Sequence, residues 1–303
     1  MSLIRCVKKT KKKNIEFLKA NHIGNDFIII DFTNRGVDEF DSIFTSAMVK
    51  KICDRNFGVG ADGVIGVLPP ALPGFDFRMH IINADGSPAL MCGNGLACMA
   101  MFIDKKKLSK KKKLNIETFS GLRVPYVERS DDGTYKVIID MGKPELAVGR
   151  TLLNLKLNRG LKTVVMHPYS FDGAEFKINV VSMGNPHCVI FLEKKISRSD
   201  FERLGPIIEC HSIFPRKTNV EFVTIASKEE INVDVWERGA GRTLACGTGA
   251  AASAYMAYFN EFCGREVKVN LPGGTLYSEI KKDGNVFLQC RPVEVFSGNF
   301  DIF

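Results

Sequence analysis

Two short stretches of the chain, "MCGNGLACMA" at residues 91–100 and "ACGTGAAASA" at 245–254, set a cysteine directly before Gly-x-Gly and a run of small apolar residues. They lie about half a chain length apart. Small apolar residues after glycine suit a packed helix, so Cys92 and Cys246 each stand where a helix begins. There several backbone N–H groups have no intrahelical partner and the macrodipole is positive, which favours thiolate over thiol. The same amides attract anions. Glycine permits close backbone approach, and Gly93, Asn94, Gly247 and Thr248 can offer N–H groups to a carboxylate. One such loop makes a reactive thiol or an anion site, and two facing loops make both around one small molecule. With a thiolate on one side of a carbon and a thiol on the other, one sulfur removes a proton while the second delivers one to the opposite face, inverting the stereocentre. If that carbon is α to a carboxylate, the amides of both helices stabilise the charge that develops. The pair therefore points to racemisation without a pyridoxal cofactor, and neither a metal nor another cofactor is expected.

The rest of the chain must supply two scaffolds for these thiols. Short runs rich in Val, Ile and Phe, such as "FIIIDF", "DFRMHIINA", "TYKVIIDM", "NVEFVTIA", "INVDVWE" and "EVKVNL", are bounded by turn residues and predict strands. "IKKDGNVF" carries an Asp-Gly hairpin signal. Helices are predicted over "DSIFTSAMVKKICD", "SDFERLGPIIE" and the two stretches that follow the Cys-Gly motifs. In both halves strands lead to the Cys-Gly motif, and its helix and further strands follow. The order predicts a strand-rich mixture of two similar halves, each a sheet packed on one long apolar helix, with the polar turn "RSDDGT" near residue 132 as the boundary.

At 303 residues, 45% hydrophobic and 25% charged, the chain has average globular composition and room for two ordinary cores. No apolar run approaches the roughly 20 residues that span a bilayer, and a cytoplasmic protein without membrane partners is expected. Nine cysteines at wide spacings, with no CxxC pair, argue against a disulfide framework or a zinc ribbon and favour a reducing compartment. The seven other than Cys92 and Cys246 (Cys6, Cys53, Cys98, Cys188, Cys210, Cys263, Cys290) are read mostly as small core residues. The net charge of +8 is concentrated in "KKTKKK" and "DKKKLSKKKK". Without aromatic interleaving these runs read as solvated surface, not as a nucleic-acid site.

With those residues in place, "NADGSPALMCGNG" and "WERGAGRTLACGTGA" resemble the two active-site blocks of the diaminopimelate epimerase family, cofactor-independent two-cysteine enzymes of lysine and peptidoglycan biosynthesis. "GNDF", "DRNFGVGADG", "MGNPH", "TNVEF" and "PVEVFSGNF" extend the resemblance over nearly the whole chain. It implies an α+β fold of two pseudo-symmetric domains, each a mostly antiparallel sheet wrapped around a central helix, with the active site in the cleft between them. The expected domains are 1–134, with 291–303 returning to it, and 135–290. It implies catalysis by Cys92 and Cys246 on LL-diaminopimelate, a small-molecule substrate. The matching positions for the substrate's far amino-acid end are Asn25, Asn83, Asn185, Asn219 and Arg238, and His187 and Glu237 match residues that help set the thiols' protonation and bind substrate. Arginine suits a carboxylate because its planar fork bonds bidentately.

Three positions depart from the family pattern: Pro88 replaces the usual Glu, Ala97 an Arg, and Arg242 the acid of "GET". A related racemase acting on a lanthionine-type diamino acid or on histidine is the nearest alternative, although the distal set disfavours histidine. A thiol-based redox sensor is the alternative outside catalysis. Oligomeric state is open, with a homodimer as one option.

Overall fold

The computed structural model of the chain describes residues 13–89, 91–146 and 162–302; Cys6 and the lysines before Lys13 lie outside the described residues. Two sheets organise everything else. The first, of eight strands, runs in the order Val293–Ile302, Lys13–His22, Asn25–Asp31, Gly63–Leu68, Phe77–Asn83, Ile116–Thr118, Gly121–Arg123, with Pro88–Ala89 pairing beside Phe77–Asn83. The second has eleven: His167–Phe171, Ala174–Ser182, Pro186–Leu192, Asn219–Ser227, Glu230–Glu237, Glu266–Leu271, Gly274–Ile280, Val286–Cys290, Tyr135–Asp140, Tyr126–Arg129, with Gly241–Arg242 beside Glu230–Glu237. The fold is α+β.

The pairing pattern of the first sheet recurs within the larger second one. In each, an antiparallel pair (Lys13–His22 with Asn25–Asp31; Ala174–Ser182 with Pro186–Leu192) leads through helical chain to a parallel neighbour (Gly63–Leu68; Asn219–Ser227). An antiparallel strand follows (Phe77–Asn83; Glu230–Glu237), then a two-residue strand on it, then the central helix, then a second parallel partner (Ile116–Thr118; Glu266–Leu271). The expected equivalence of the halves, read from one motif and an element order, holds at the level of pairing.

Each central helix is apolar all the way round, which is the signature of a helix with no solvent face. In Gly93–Lys105 every residue from Asn94 to Ile103 is buried. In Gly247–Phe259 the alanines Ala250, Ala251, Ala252, Ala254 and Ala257 are buried, and their small side chains let the surrounding strands come close. The two helices share one continuous core that also takes in Leu18, Ile65, Val137, Val233 and Leu288. Each fully buried Leu, Ile or Phe in it contributes roughly 1.5–3 kcal/mol. The outer faces of the sheets have cores of their own: Val37–Ile43 and Ser46–Cys53 cover the first, and Arg198–Glu209 covers the second.

The structure revises the sequence reading in detail. "DSIFTSAMVKKICD" forms two helices, because Thr45 caps a new one by accepting from the Met48 N–H. "RSDDGT" joins Tyr126–Arg129 to Tyr135–Asp140, two paired strands of the second sheet, so the chain passes from one sheet to the other between Arg123 and Tyr126 and not at residue 134. A polar turn marks a hairpin as readily as a domain boundary. The final strand, Val293–Ile302, pairs with Lys13–His22 and so lies in the first sheet. Among the remaining cysteines, Cys53, Cys98, Cys188, Cys263 and Cys290 are buried, whereas Cys210 is exposed at the C-cap of Arg198–Glu209.

Candidate active site

Cys92 is the N-cap of the first central helix and Cys246 of the second. Each has the extended backbone of a cap, and each sulfur accepts the third-turn-position amide: Gly95 N–H to Cys92 at 3.4 Å, Gly249 N–H to Cys246 at 3.3 Å. Thus the paired motif is a paired cap in which a thiol takes the place of the usual hydroxyl. Gly93, Asn94, Gly247 and Thr248 occupy the first turns of these two helices.

Around Cys92 the partners are amides. Its S–H donates to Asn25 Oδ1 (3.4 Å), which also accepts from Asn94 Nδ2 (3.4 Å). Asn25 is turned this way because its own Nδ2 donates to Asp62 (2.7 Å), and Asp62 and Asp26 are locked together by Arg55. Asp26 also meets Lys19 (3.0 Å). Behind Asn94 stands fully buried His22, whose Nδ1 bonds Asn94 Oδ1 at 2.8 Å. Asn83 bonds Ser87 through Nδ2 (3.0 Å) in the turn after Phe77–Asn83.

Around Cys246 the partners are acids and a hydroxyl. Thr248 Oγ1 lies 3.5 Å from the sulfur and accepts from Asn185 Nδ2 (3.3 Å), whose Oδ1 meets His187 Nε2 (3.0 Å). His187 Nδ1 then meets Glu221 Oε1 at 2.6 Å, with both side chains fully buried. Glu237 is held by Thr243 Oγ1 at 2.6 Å and lies near enough for its charge to act on the Cys246 thiol. By the repeat of the sheets, Asn83 and Glu237 occupy the same place, one at the end of each antiparallel strand. One half offers an amide there and the other a carboxyl group.

Burial works against the thiolate expectation at both cysteines. Burial pushes the Cys92 thiol up to about 11, outweighing the amide bonds from Gly95 and Asn94 that pull it down. Burial, then the charges of Glu237 and Glu221, raise Cys246 well above its ordinary value. Glu237 is itself raised by burial, against the bonds from Thr243 and Cys246. Burial likewise raises Glu221, against His187. A cap and a dipole cannot offset the loss of water around a small anion.

Arg238 follows Glu237 directly and is exposed, with its guanidinium bonded to Arg216 O (3.2 Å). Its backbone N–H donates to Asn219 Oδ1 (2.9 Å), while Asn219 Nδ2 donates to Pro186 O (2.9 Å). Both ends of the Asn219 amide are therefore taken by backbone. Of the departures, Ala97 is fully buried in the first central helix, and Pro88 and Arg242 lie exposed on the two short strands. Asp62, Arg55, His22 and Glu221 were not singled out from sequence. Asp62 and Arg55 stand in "DRNFGVGADG" and Glu221 in "TNVEF", so the signal was their place inside quoted motifs.

Residues 17–147 and 179–295 match the family model described as Diaminopimelate epimerase. Among similar proteins, the diaminopimelate epimerase of Pelotomaculum thermopropionicum is 40% identical over 286 residues, covering 94% of this chain and 99% of that protein. That of Desulfitobacterium hafniense is 42% identical over 284 residues, covering 94% and 97%. A solved structure of a phenazine biosynthesis protein of the PhzF family from Bacillus anthracis superposes with a TM-score of 0.63 at 16% identity, covering 96% of this chain and 99% of that one, a likeness of fold.

Proposed function

The chain belongs to the diaminopimelate epimerase family, and on that premise we propose that Cys92 and Cys246 are the two bases by which it interconverts LL- and meso-diaminopimelate. The protein is an isomerase, and its reaction serves lysine and peptidoglycan biosynthesis. The observation that carries the assignment is the pair of thiol caps on two equivalent helices with one carboxyl group, Glu237, acting on both sulfurs.

The reaction begins with two protonated thiols. Cys246 passes its proton to Glu237, whose raised affinity for protons suits it to hold one. The Cys246 thiolate then removes the α-hydrogen, and Cys92, its S–H otherwise directed at Asn25, delivers a proton to the opposite face. The cycle closes when the proton held by Glu237 passes to the Cys92 thiolate, and the reverse reaction runs the same steps backwards, with Cys92 giving its proton to Glu237 and acting as base while Cys246 is the donor. The first-turn amides Gly93, Asn94, Gly247 and Thr248 carry the charge that develops beside the α-carbon, in place of an electron-sink cofactor. His187, fixed between Asn185 and Glu221, holds the Thr248 side of the site. Arg238 meets the distant carboxylate, with Asn25, Asn83 and Asn185 facing the remaining polar groups and Asn219 acting through the Arg238 backbone.

We further infer a reducing, cytoplasmic setting, because the chemistry needs both sulfurs reduced. The second lysine run meets acids of the same chain, with Lys106 to Glu16 (2.5 Å), Lys111 to Asp76 (2.6 Å), Lys112 to Asp104 (2.8 Å) and Lys105 to Glu294, which supports a structural reading over a nucleic-acid site. No helix among the described residues is long and apolar enough to cross a membrane. A homodimer would have to cover the apolar outer edge of the first sheet, Val293, Val295 and Phe296, and sedimentation tests it.

Heavy water tests the chemistry. At low conversion from either stereoisomer, product is expected to carry one solvent deuterium while recovered substrate keeps its hydrogen, because the group that takes the proton is not the one that returns it. Substantial unlabelled product, read by mass spectrometry, rules out the two-base assignment.

A further inference from the structure

Glu209, the last residue of helix Arg198–Glu209, is an acid only 6% exposed and far in sequence from both cysteines. Its two oxygens hold the chain on either side of Glu237 and Arg238: Oε2 accepts from Trp236 Nε1 (2.9 Å), and Oε1 accepts from the Gly239 N–H (3.0 Å). Lys217 adds a cation at 3.4 Å. Burial would raise the carboxyl group, but the bonds from Trp236, Gly239 and Lys217 together hold it below the usual range. It stays an acceptor for both donors.

The helix that carries Glu209 is fitted to the same turn. Gly205 packs against the Trp236 ring so closely that an added Cβ would lie 2.5 Å from it. Phe201 meets the same indole edge to face at 5.7 Å. The turn itself is tight, with Ala240 N–H returning to Glu237 O (3.1 Å) and both Gly239 and Gly241 at positive φ. The Glu237 carboxyl group has its own anchor in Thr243, whereas among the described residues the Arg238 guanidinium bonds one carbonyl, Arg216 O, at 3.2 Å. The placement of Arg238 therefore depends on its backbone, which Asn219 and Glu209 hold.

We propose that Glu209 is a positioning residue for substrate selection, clasping the residues before and after Glu237–Arg238 so that the Arg238 guanidinium meets the substrate's second carboxylate. The assignment rests on the reading of Arg238 given above. Glu209→Gln has the same shape but offers one carbonyl to two donors, so either Trp236 or Gly239 loses its acceptor.

The test is a double-variant cycle on LL-diaminopimelate, with kcat and KM measured for the parent, Glu209→Gln, Arg238→Ala and the double variant. Glu209→Gln is expected to raise KM about tenfold with kcat changed less than about threefold, and Arg238→Ala to lower kcat/KM about ten- to a hundredfold. The double variant should match Arg238→Ala within about twofold, because the clasp has nothing left to position. Losses that multiply, or a fall in kcat at constant KM, overturn the proposal and mark Glu209 as a general structural residue. A silent Glu209→Gln beside an impaired Arg238→Ala overturns it too and leaves the distal-site reading standing. A silent Arg238→Ala removes both. Glu209→Asp, which keeps the charge but withdraws it from Gly239, enters the same cycle should the Gln variant not fold.

Discussion

At the scale of single residues, the site contains two thiols held as thiols. Cys92 is pushed up to about 11 by burial, so below that pH its thiolate fraction rises about tenfold per unit. Alkylation of Cys92 by iodoacetamide should accordingly accelerate about tenfold from pH 7 to 8 and again from 8 to 9, without levelling. Mass spectrometry of the Cys92 peptide over time gives the rates. A plateau reached below pH 8 would mean that the cap and its amides, not burial, decide the charge. Burial and two nearby acids raise Cys246 as well. On the proposed chemistry, such a pair is activated by proton transfer within the site and not by a standing anion.

At the scale of elements, what places each sulfur is the start of a helix, and the second helix has no slack. A Cβ on Gly249 would lie 2.9 Å from Glu221 Oε1 and 3.2 Å from Cys246 Sγ. Gly249→Ala should lower kcat/KM at least about tenfold, although alanine favours a helix over glycine by roughly 1 kcal/mol. Gly95→Ala meets only the flexible ends of Ile65, Met79 and Phe27 at 3.0–3.4 Å and should cost less activity. Steady-state rates and thermal melts of the two variants make the comparison, and equal losses would show that the crowding at Gly249 does not bear on the reaction. The helix starts were legible in the sequence, because a cysteine, a glycine pair and a small-residue run are local signals. So were most strands, whose alternation is also local. Glu209 and His187–Glu221 were not legible as a clasp and a pair, since those contacts join elements distant in the chain. The thiol protonation was misread for the same reason, as burial is a property of the assembled core and the cap is a property of five residues.

At the scale of the molecule, the chain closes on itself: Val293–Ile302 pairs with Lys13–His22 along its whole length, and Phe296 and Phe300 pack on Phe17 at 5.8 and 5.6 Å. His22, at the end of that strand, supports Asn94 beside Cys92. A chain ending at Pro292 should therefore lose the first site loop together with the edge of the sheet. Hydrogen exchange is expected to show strand Lys13–His22 deprotected and epimerisation reduced more than about tenfold, while Glu230–Glu237 in the second sheet keeps its protection. Unchanged protection in Lys13–His22 would show the closing strand to be dispensable. The recurrence of one pairing pattern in both sheets limits what each half can do alone. Two identical halves would present identical sulfurs, and neither would have reason to be the donor when the other is the acceptor. Because both copies lie in one chain, each can mutate alone, and they differ where it matters: Asn83 on one side, Glu237 on the other. On the two-thiol chemistry proposed above, the repeat matches a carbon approached from both faces, and the one position where the copies differ gives the exchange its first move.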